Sequence, residues 1–246
     1  MSAIPNLLVD IGNTSLKWAI GESGVLSEMQ TLRHGGGLPI DLHAAWEQMK
    51  RPRRILVSNV GGTRMREAVK NACRAYWERE PIFAATEHSA HGVTIAYERP
   101  ERLGVDRWLV LLAAHRTCEG PVLIVDAGTA ITYDLMLGNG RHLGGLILPG
   151  IETMRDGLLA GTHIPRVEPT ELADPWAADT GDAIAAGSIQ APTALAERLL
   201  ERLARQAGST PTCILTGGDA DRLIPALGIL VQQRPDLVLQ GLALLA

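Results

Sequence analysis

The amino-acid sequence predicts an α/β protein built as two halves of like design, each a mixed sheet with helices on its faces, with a cleft between them. Three observations carry that expectation. Two stretches nearly repeat one another, Leu7-Leu8-Val9-Asp10-Ile11-Gly12-Asn13-Thr14 and Leu123-Ile124-Val125-Asp126-Ala127-Gly128-Thr129-Ala130. The order strand, strand, strand, then alternating helix and strand can be traced in both halves. Finally, 246 residues with 46% hydrophobic content suffice for two domains of about 120 residues each.

In the first half the apolar and β-branched runs predict strands at 6–11, 15–20 and 28–32, because each is short and bounded by Gly or polar residues. Gly35-Gly36-Gly37 makes a turn, and helices follow over 41–50 and 64–80, with a buried strand at 55–58 between them. Pro81 stops the second helix and opens a short strand to Ala84. Val93 to Tyr97 is extended, Glu98-Arg99-Pro100-Glu101 is a loop, and Asp106 to His115 is helical with Leu109, Leu112 and Ala113 on one face. Glu119-Gly120-Pro121 breaks the pattern, which places the boundary between domains 1–118 and 119–246. The second half restarts with strands at 122–127, 130–136 and 142–148, the latter two joined through Gly138-Asn139-Gly140. Pro149-Gly150 opens a helix to Ala160, and the longest helix runs from Asp182 to Gln206 on a Leu195, Leu199, Leu203 stripe. Cys213 to Thr216 is a buried strand running into Gly217-Gly218 and a helix, and the chain closes on a short strand and an apolar tail from Leu242.

The repeated segment carries chemistry. In each copy an apolar run ends in Asp, then Gly, then an amide or hydroxyl residue, and a returning strand follows. Glycine lets backbone N–H groups approach an anion closely, and Asn or Thr adds short donors. The aspartate can hold a metal ion or its water beside that anion. Two such turns facing one another would grip a nucleotide polyphosphate from both sides. Lys17, one of three lysines in the chain, follows the first turn and could act as a charge clamp. Taken alone, Asp10 and Lys17 read equally well as an edge pair; the second copy of the pattern speaks against chance. Neither G-x-x-x-x-G-K-[ST] nor a strand-linked G-x-G-x-x-G occurs, so nucleotide binding would rest on the paired turns.

Three further segments have two readings each. Thr216-Gly217-Gly218-Asp219 could admit a flat ring or an anion at a helix start, or use glycine for turn geometry alone. Gly144-Gly145-Leu146-Ile147-Leu148-Pro149-Gly150 invites the same pair of readings. In Leu103-Gly104-Val105-Asp106-Arg107-Trp108 the acid could accept a proton from a hydroxyl while Arg107 fixes an anionic group, or Asp106 could simply cap a helix.

Composition narrows the classes. The net charge of −4 argues against nucleic-acid binding, and Lys50-Arg51-Pro52-Arg53-Arg54 reads as a solvated linker. Three scattered cysteines without a C-x-x-C pair indicate neither a disulfide framework nor a zinc site, and so a reducing, cytoplasmic setting. No run reaches the roughly 18 apolar residues of a membrane helix, and Asp10 comes too early for a signal peptide. The tryptophans read as core residues, and the histidines as surface or loop residues.

Taken together, these segments resemble the type III pantothenate kinases, in the superfamily that also holds sugar kinases, Hsp70 and actin. The matching pieces are Asp10 to Lys17, Tyr97 with Pro100, Leu103 to Trp108, Asp126 to Ala130, Gly144 to Gly150, Asp179-Thr180, Thr216 to Gly218 and Gly241-Leu242. The resemblance implies two ribonuclease-H-like (actin-like ATPase) domains with the active site in the interdomain cleft, a homodimer, and ATP-dependent phosphorylation of pantothenate towards coenzyme A. It further implies ATP binding by Asp10, Ile11, Gly12, Asn13, Thr14, Ser15, Leu16, Lys17 and Thr129, with Mg²⁺ on the phosphates. Pantothenate contacts would come from Tyr97, Gly104, Val105, Asp106, Arg107 and Thr180, with Asp106 as proton acceptor. Asp126 would hold a monovalent cation, potassium or ammonium. The rival expectations are a kinase of another small alcohol, a nucleotide-responsive regulator, and a nucleotide hydrolase.

Overall fold

A computed structural model describes residues 5–22, 25–164 and 176–246. Its elements in chain order are strands β1 (Asn6–Ile11), β2 (Ser15–Glu22), β3 (Val25–Leu26) and β4 (Gln30–Arg33), helix α1 (Ile40–Glu47), strand β5 (Ile55–Asn59), helix α2 (Gly62–Trp77), strands β6 (Ile82–Phe83), β7 (Ser89–Ala90) and β8 (Val93–Thr94), and helix α3 (Val105–Thr117). There follow β9 (Val122–Ala127), β10 (Ala130–Met136), β11 (His142–Pro149), α4 (Ile151–Ala160), α5 (Thr180–Ala207), β12 (Thr212–Thr216), α6 (Ala220–Leu223), β13 (Gln232–Gln233) and α7 (Leu237–Ala243).

The chain divides into two units, one reaching Arg116 and rejoined by Asp236–Ala246, the other spanning Thr117–Pro235. In the first unit the sheet order is β3-β2-β1-β5-β6, with β4 also on β2. In the second it is β11-β10-β9-β12-β13. Both begin with an antiparallel meander and add two strands in parallel. This is the ribonuclease-H-like sheet, present twice. The strand expected at 28–32 is β4, at Gln30–Arg33, and a separate short strand β3 precedes it on the same edge of β2.

Alternation along the strands decides which face is covered. Leu7, Val9 and Ile11 of β1 join Ile55 and Val57 of β5 against α1 (Leu42, Trp46) and α2. Helix α2 offers Met65, Val69, Ala72 and Cys73, spacings of four, seven and eight that form one stripe. Trp46 and Trp77 pack with ring centroids 5.4 Å apart. In the second unit Leu123, Val125 and Ala127 of β9 and Ile131 and Tyr133 of β10 meet Ala196, Leu199 and Leu203 of α5. The Tyr133 hydroxyl donates to the Pro192 carbonyl at 2.9 Å, which satisfies a polar group inside an apolar layer. Asp179 caps α5 by accepting from Gly181 N at 2.8 Å, and Gly208, at φ +67°, ends it.

Four expectations need correction. The tail read as a short strand and apolar end contains helix α7, whose Leu237, Leu239 and Leu242 are buried. It belongs to the first compact unit, which takes in Asp236–Ala246. Helix α3 is buried on every side from Arg107 to Ala114, not on one face. His142 is no surface residue: it is buried with Asp134 at 3.0 Å. Trp46, Trp77 and Trp108 are core residues as expected, but Trp176 is 81% exposed. Residues 163–176, between the matching pieces Gly144 to Gly150 and Asp179-Thr180, lie mostly outside the described residues.

Candidate active site

The hairpin turns of both units are built on one hydrogen-bond plan. Gly12 N–H donates to Ser15 O at 2.9 Å, and Gly128 N–H to Ala130 O at 3.0 Å, closing the turn in each case. The residue before each glycine presents its carbonyl to the turn that follows the neighbouring parallel strand, β5 or β12. Ile11 O accepts from Val60 N (2.9 Å) and Gly61 N (3.1 Å), and Ala127 O accepts from Asp219 N at 2.9 Å. The threonine carbonyls are taken by the residue just after the outer antiparallel strand, β4 or β11. Thr14 O accepts from His34 N and Thr129 O from Gly150 N, both at 2.9 Å. Thr153 Oγ1 adds a second bond to Thr129 O at 2.9 Å. Every peptide group tied back this way points its other end elsewhere, because C=O and N–H lie on opposite sides of a planar trans peptide.

Glycine is required where these turns touch. A Cβ on Gly217, which sits at φ +94°, would lie 2.1 Å from Ala127 O and 2.5 Å from Asp126 Oδ1. One on Gly150 would lie 2.0 Å from Gly128 O. Of the two readings left open for these glycines, the close backbone packing is therefore present.

The two aspartates occupy equivalent places. Asp10 stands in register between Lys17 on β2 and Ser58 on β5. Asp126 stands between Thr132 on β10 and Thr216 on β12. Directly opposed residues share a sheet face, so each carboxylate is flanked by a cationic or hydroxyl side chain. Asp10 is buried, Asp126 and Lys17 half-buried, and Asn13 and Thr129 exposed.

A second cluster of the first unit gathers at the start of α3. Asp106 Oδ1 accepts the Arg107 N–H at 2.8 Å from inside the first turn of α3, so it occupies a first-turn amide without standing at the N-cap position. A Cβ on Gly104 would meet Asp106 Oδ1 at 2.5 Å. The buried Arg107 donates from Nη1 to the Tyr97 hydroxyl at 3.2 Å, and its guanidinium carbon lies 6.0 Å from the Tyr97 ring centre. Thr86 Oγ1 donates to Leu103 O at 2.9 Å and fixes the segment before Gly104. Tyr97, Gly104, Val105, Asp106 and Arg107 are thus one local group. Thr180 lies in the other unit, exposed at the start of α5, where with Met154, Arg155, Leu158, Ile184 and Ser188 it lines a hollow of about 450 Å³.

Residues outside the expected set also shape the turns: Val60, Gly61, Thr153 and His34. Their only mark in the sequence is their position just after β4 or β5, or one helical turn beyond the end of β11.

A family model described as type III pantothenate kinase matches residues 6–202. The chain is 36% identical over 249 residues to a type III pantothenate kinase of Nitrosococcus oceani, with 98% of this chain and 93% of that one covered. Among solved structures, a conserved Baf-family protein from Campylobacter jejuni is similar at a TM-score of 0.57 and 24% identity, covering 96% of this chain and 94% of that one. Component A of (R)-2-hydroxyglutaryl-CoA dehydratase from Acidaminococcus fermentans is similar at a TM-score of 0.54 and 16% identity, covering 99% and 98%. These two likenesses bear on fold alone; the family match and the sequence identity carry more. On them the chain belongs to the type III pantothenate kinases, which phosphorylate pantothenate in the first step of coenzyme A biosynthesis.

Proposed function

We propose that the Gly12 and Gly128 turns bind the phosphates of ATP, while Asp106 activates the primary hydroxyl of pantothenate. The observation that carries this reading is the shared hydrogen-bond plan of the turns around Gly12 and Gly128. Asp10 to Lys17 form the phosphate turn and its charge partner, and Thr129 adds a hydroxyl donor from the other turn. Phosphoryl transfer depends on positioning and charge neutralisation more than on covalent help. Lys17 and the outward N–H groups neutralise charge developing on the transferring group. Arg107, already turned towards Tyr97, holds the pantothenate carboxylate, and Gly104 and Val105 line that site with Thr180. The pantothenate hydroxyl oxygen attacks the γ-phosphorus, the bond to the β–γ bridging oxygen breaks, and the hydroxyl proton passes to Asp106. ADP leaves with the bonding electrons.

A divalent ion fits Asp10: Mg²⁺ is usually held by one or two carboxylates together with substrate phosphates, and Asp10 is a buried carboxylate at a strand end. When bound, Mg²⁺ supplies positive charge at the phosphates. A monovalent cation, potassium or ammonium, fits Asp126, a half-buried carboxylate that stands in register between the hydroxyl residues Thr132 and Thr216. The same reading carries a homodimer, supported by exposed Leu146, Ile147 and Leu158 on β11 and α4, and a cytoplasmic setting, supported by three free thiols.

Asp106→Asn tests the base. A positioned general base contributes roughly 10²–10⁴ in rate, so pantothenate-dependent ADP release falls by about that factor while ATP binding and the melting temperature stay near wild type. Near-full turnover in this variant refutes the assignment. ATP loss without any acceptor would favour a hydrolase instead.

A further inference from the structure

His34 sits at the end of β4 and touches the first hairpin turn twice. Its backbone N–H bonds Thr14 O at 2.9 Å. Its ring Nε2 lies 3.0 Å from Gly12 O, and its Nδ1 lies 3.2 Å from Gly36 N. These contacts fix the tautomer. A backbone N–H can only donate, so Nδ1 is the acceptor for Gly36; a carbonyl can only accept, so Nε2 carries the hydrogen and gives it to Gly12. One ring therefore ties the Gly35-Gly36 loop to the glycine of the turn.

The bond to Gly12 O has a directional consequence. In a trans peptide, C=O and the next N–H point in opposite directions, and no cis peptide bond is present among the described residues. Holding the Gly12 carbonyl towards His34 aims the Asn13 N–H the other way, and Asn13 is exposed. Released, that peptide could rotate and turn a carbonyl oxygen, the negative end of its dipole, towards an incoming anion. In the second unit a side-chain restraint falls on a different turn carbonyl and comes from a hydroxyl, Thr153 Oγ1 to Thr129 O, so the two turns are held by different side-chain chemistry.

We infer that His34 is a positioning residue for the nucleotide, acting through the Gly12–Asn13 peptide to keep an N–H donor aimed at the ATP phosphates. The inference rests on the reading that this turn binds ATP.

The test compares the full-length wild type with His34→Ala, which removes the ring, and His34→Gln, whose side-chain N–H₂ can still donate to Gly12 O. Pantothenate-dependent ADP release gives KM for each substrate, and a fluorescent ATP analogue gives nucleotide affinity without turnover. His34→Ala raises the KM for ATP and weakens analogue binding about three- to tenfold, the range expected for one neutral hydrogen bond, while the KM for pantothenate is unchanged. His34→Gln restores both values to within about twofold. An unchanged ATP KM in His34→Ala, a parallel rise in both KM values, or failure of His34→Gln to restore binding overturns the inference. If the wild type binds the analogue but shows no pantothenate-dependent turnover, the kinase reading fails, and the affinities of the three proteins still decide the role of His34. A wild type that does not bind the analogue overturns both.

Discussion

Replacing Gly150 by alanine gives a sharp test of how closely the second hairpin is packed. Gly150 lies at φ −66°, ψ 170°, so alanine suits its backbone and only the added methyl matters. That methyl would stand 2.0 Å from Gly128 O, 2.7 Å from Thr129 O and 2.8 Å from the Thr129 carbonyl carbon. A carbon–oxygen contact normally sits near 3.3 Å, so the turn and the start of α4 must part by about 1.3 Å. The 2.9 Å bond from Gly150 N to Thr129 O does not survive such a shift. Overpacking costs roughly 1–3 kcal/mol, and the lost bond about 1 kcal/mol more. The sum, about 2–4 kcal/mol, lowers the melting temperature by roughly 4–16 °C for a chain of this size. Circular dichroism melts measure it, and nucleotide affinity should fall alongside because the displaced atoms belong to the turn itself. A melt within 2 °C of wild type, with ATP affinity intact, would show that the turn does not rest on α4 as described.

Gly157 is the converse case: it is exposed within α4, and its Cβ would meet nothing within 4 Å. Gly157→Ala should therefore stabilise by about 1 kcal/mol through helix propensity, read as a melting temperature higher by about 2–4 °C. Tyr133→Phe removes the buried bond to Pro192 O and should cost about 1 kcal/mol in denaturant unfolding, with the slope of the transition unchanged. Burial pushes the Cys73 and Cys213 thiols up to about 12, with the charge of Glu80 adding to the effect at Cys73. Because the thiolate is the reactive form, an alkylating reagent at pH 8 should modify Cys118 alone in the native protein and all three cysteines after denaturation.

The parts of the fold legible in the sequence are those written in short-range patterns. β1 and β9 are dense apolar runs that lead into Asp10-Ile11-Gly12 and Asp126-Ala127-Gly128, the apolar or β-branched β2 and β10 return from those turns, and glycine there has few structural substitutes. α2 and α5 declare themselves through regular apolar stripes. α7 does not, because Leu237, Val238, Leu239 and Leu242 are buried around most of a seven-residue helix, so no polar face marks its period. Its Gly241 packs against the Leu109 backbone, where a Cβ would come within 2.3 Å of the carbonyl oxygen, a long-range fit with no local signal. The site divides the same way. Asp10, Asp126 and Asp106 stand out because a charged residue at the end of an apolar run, or after glycine at a helix start, is conspicuous. His34 and Thr153 act on backbone carbonyls of residues far away in the chain, and nothing beside them in the sequence names the carbonyl they reach.

The return of α7 to the first unit sets an order of assembly. α7 packs on β1, β2 and β5, and Arg54 donates to Leu245 O at 3.2 Å, yet these residues leave the ribosome only after all of Thr117–Pro235 has been made. Domains commonly fold as units in the order of their synthesis. Here the earlier-made unit waits, with part of its apolar surface open, while the inserted one is contiguous and free to finish first.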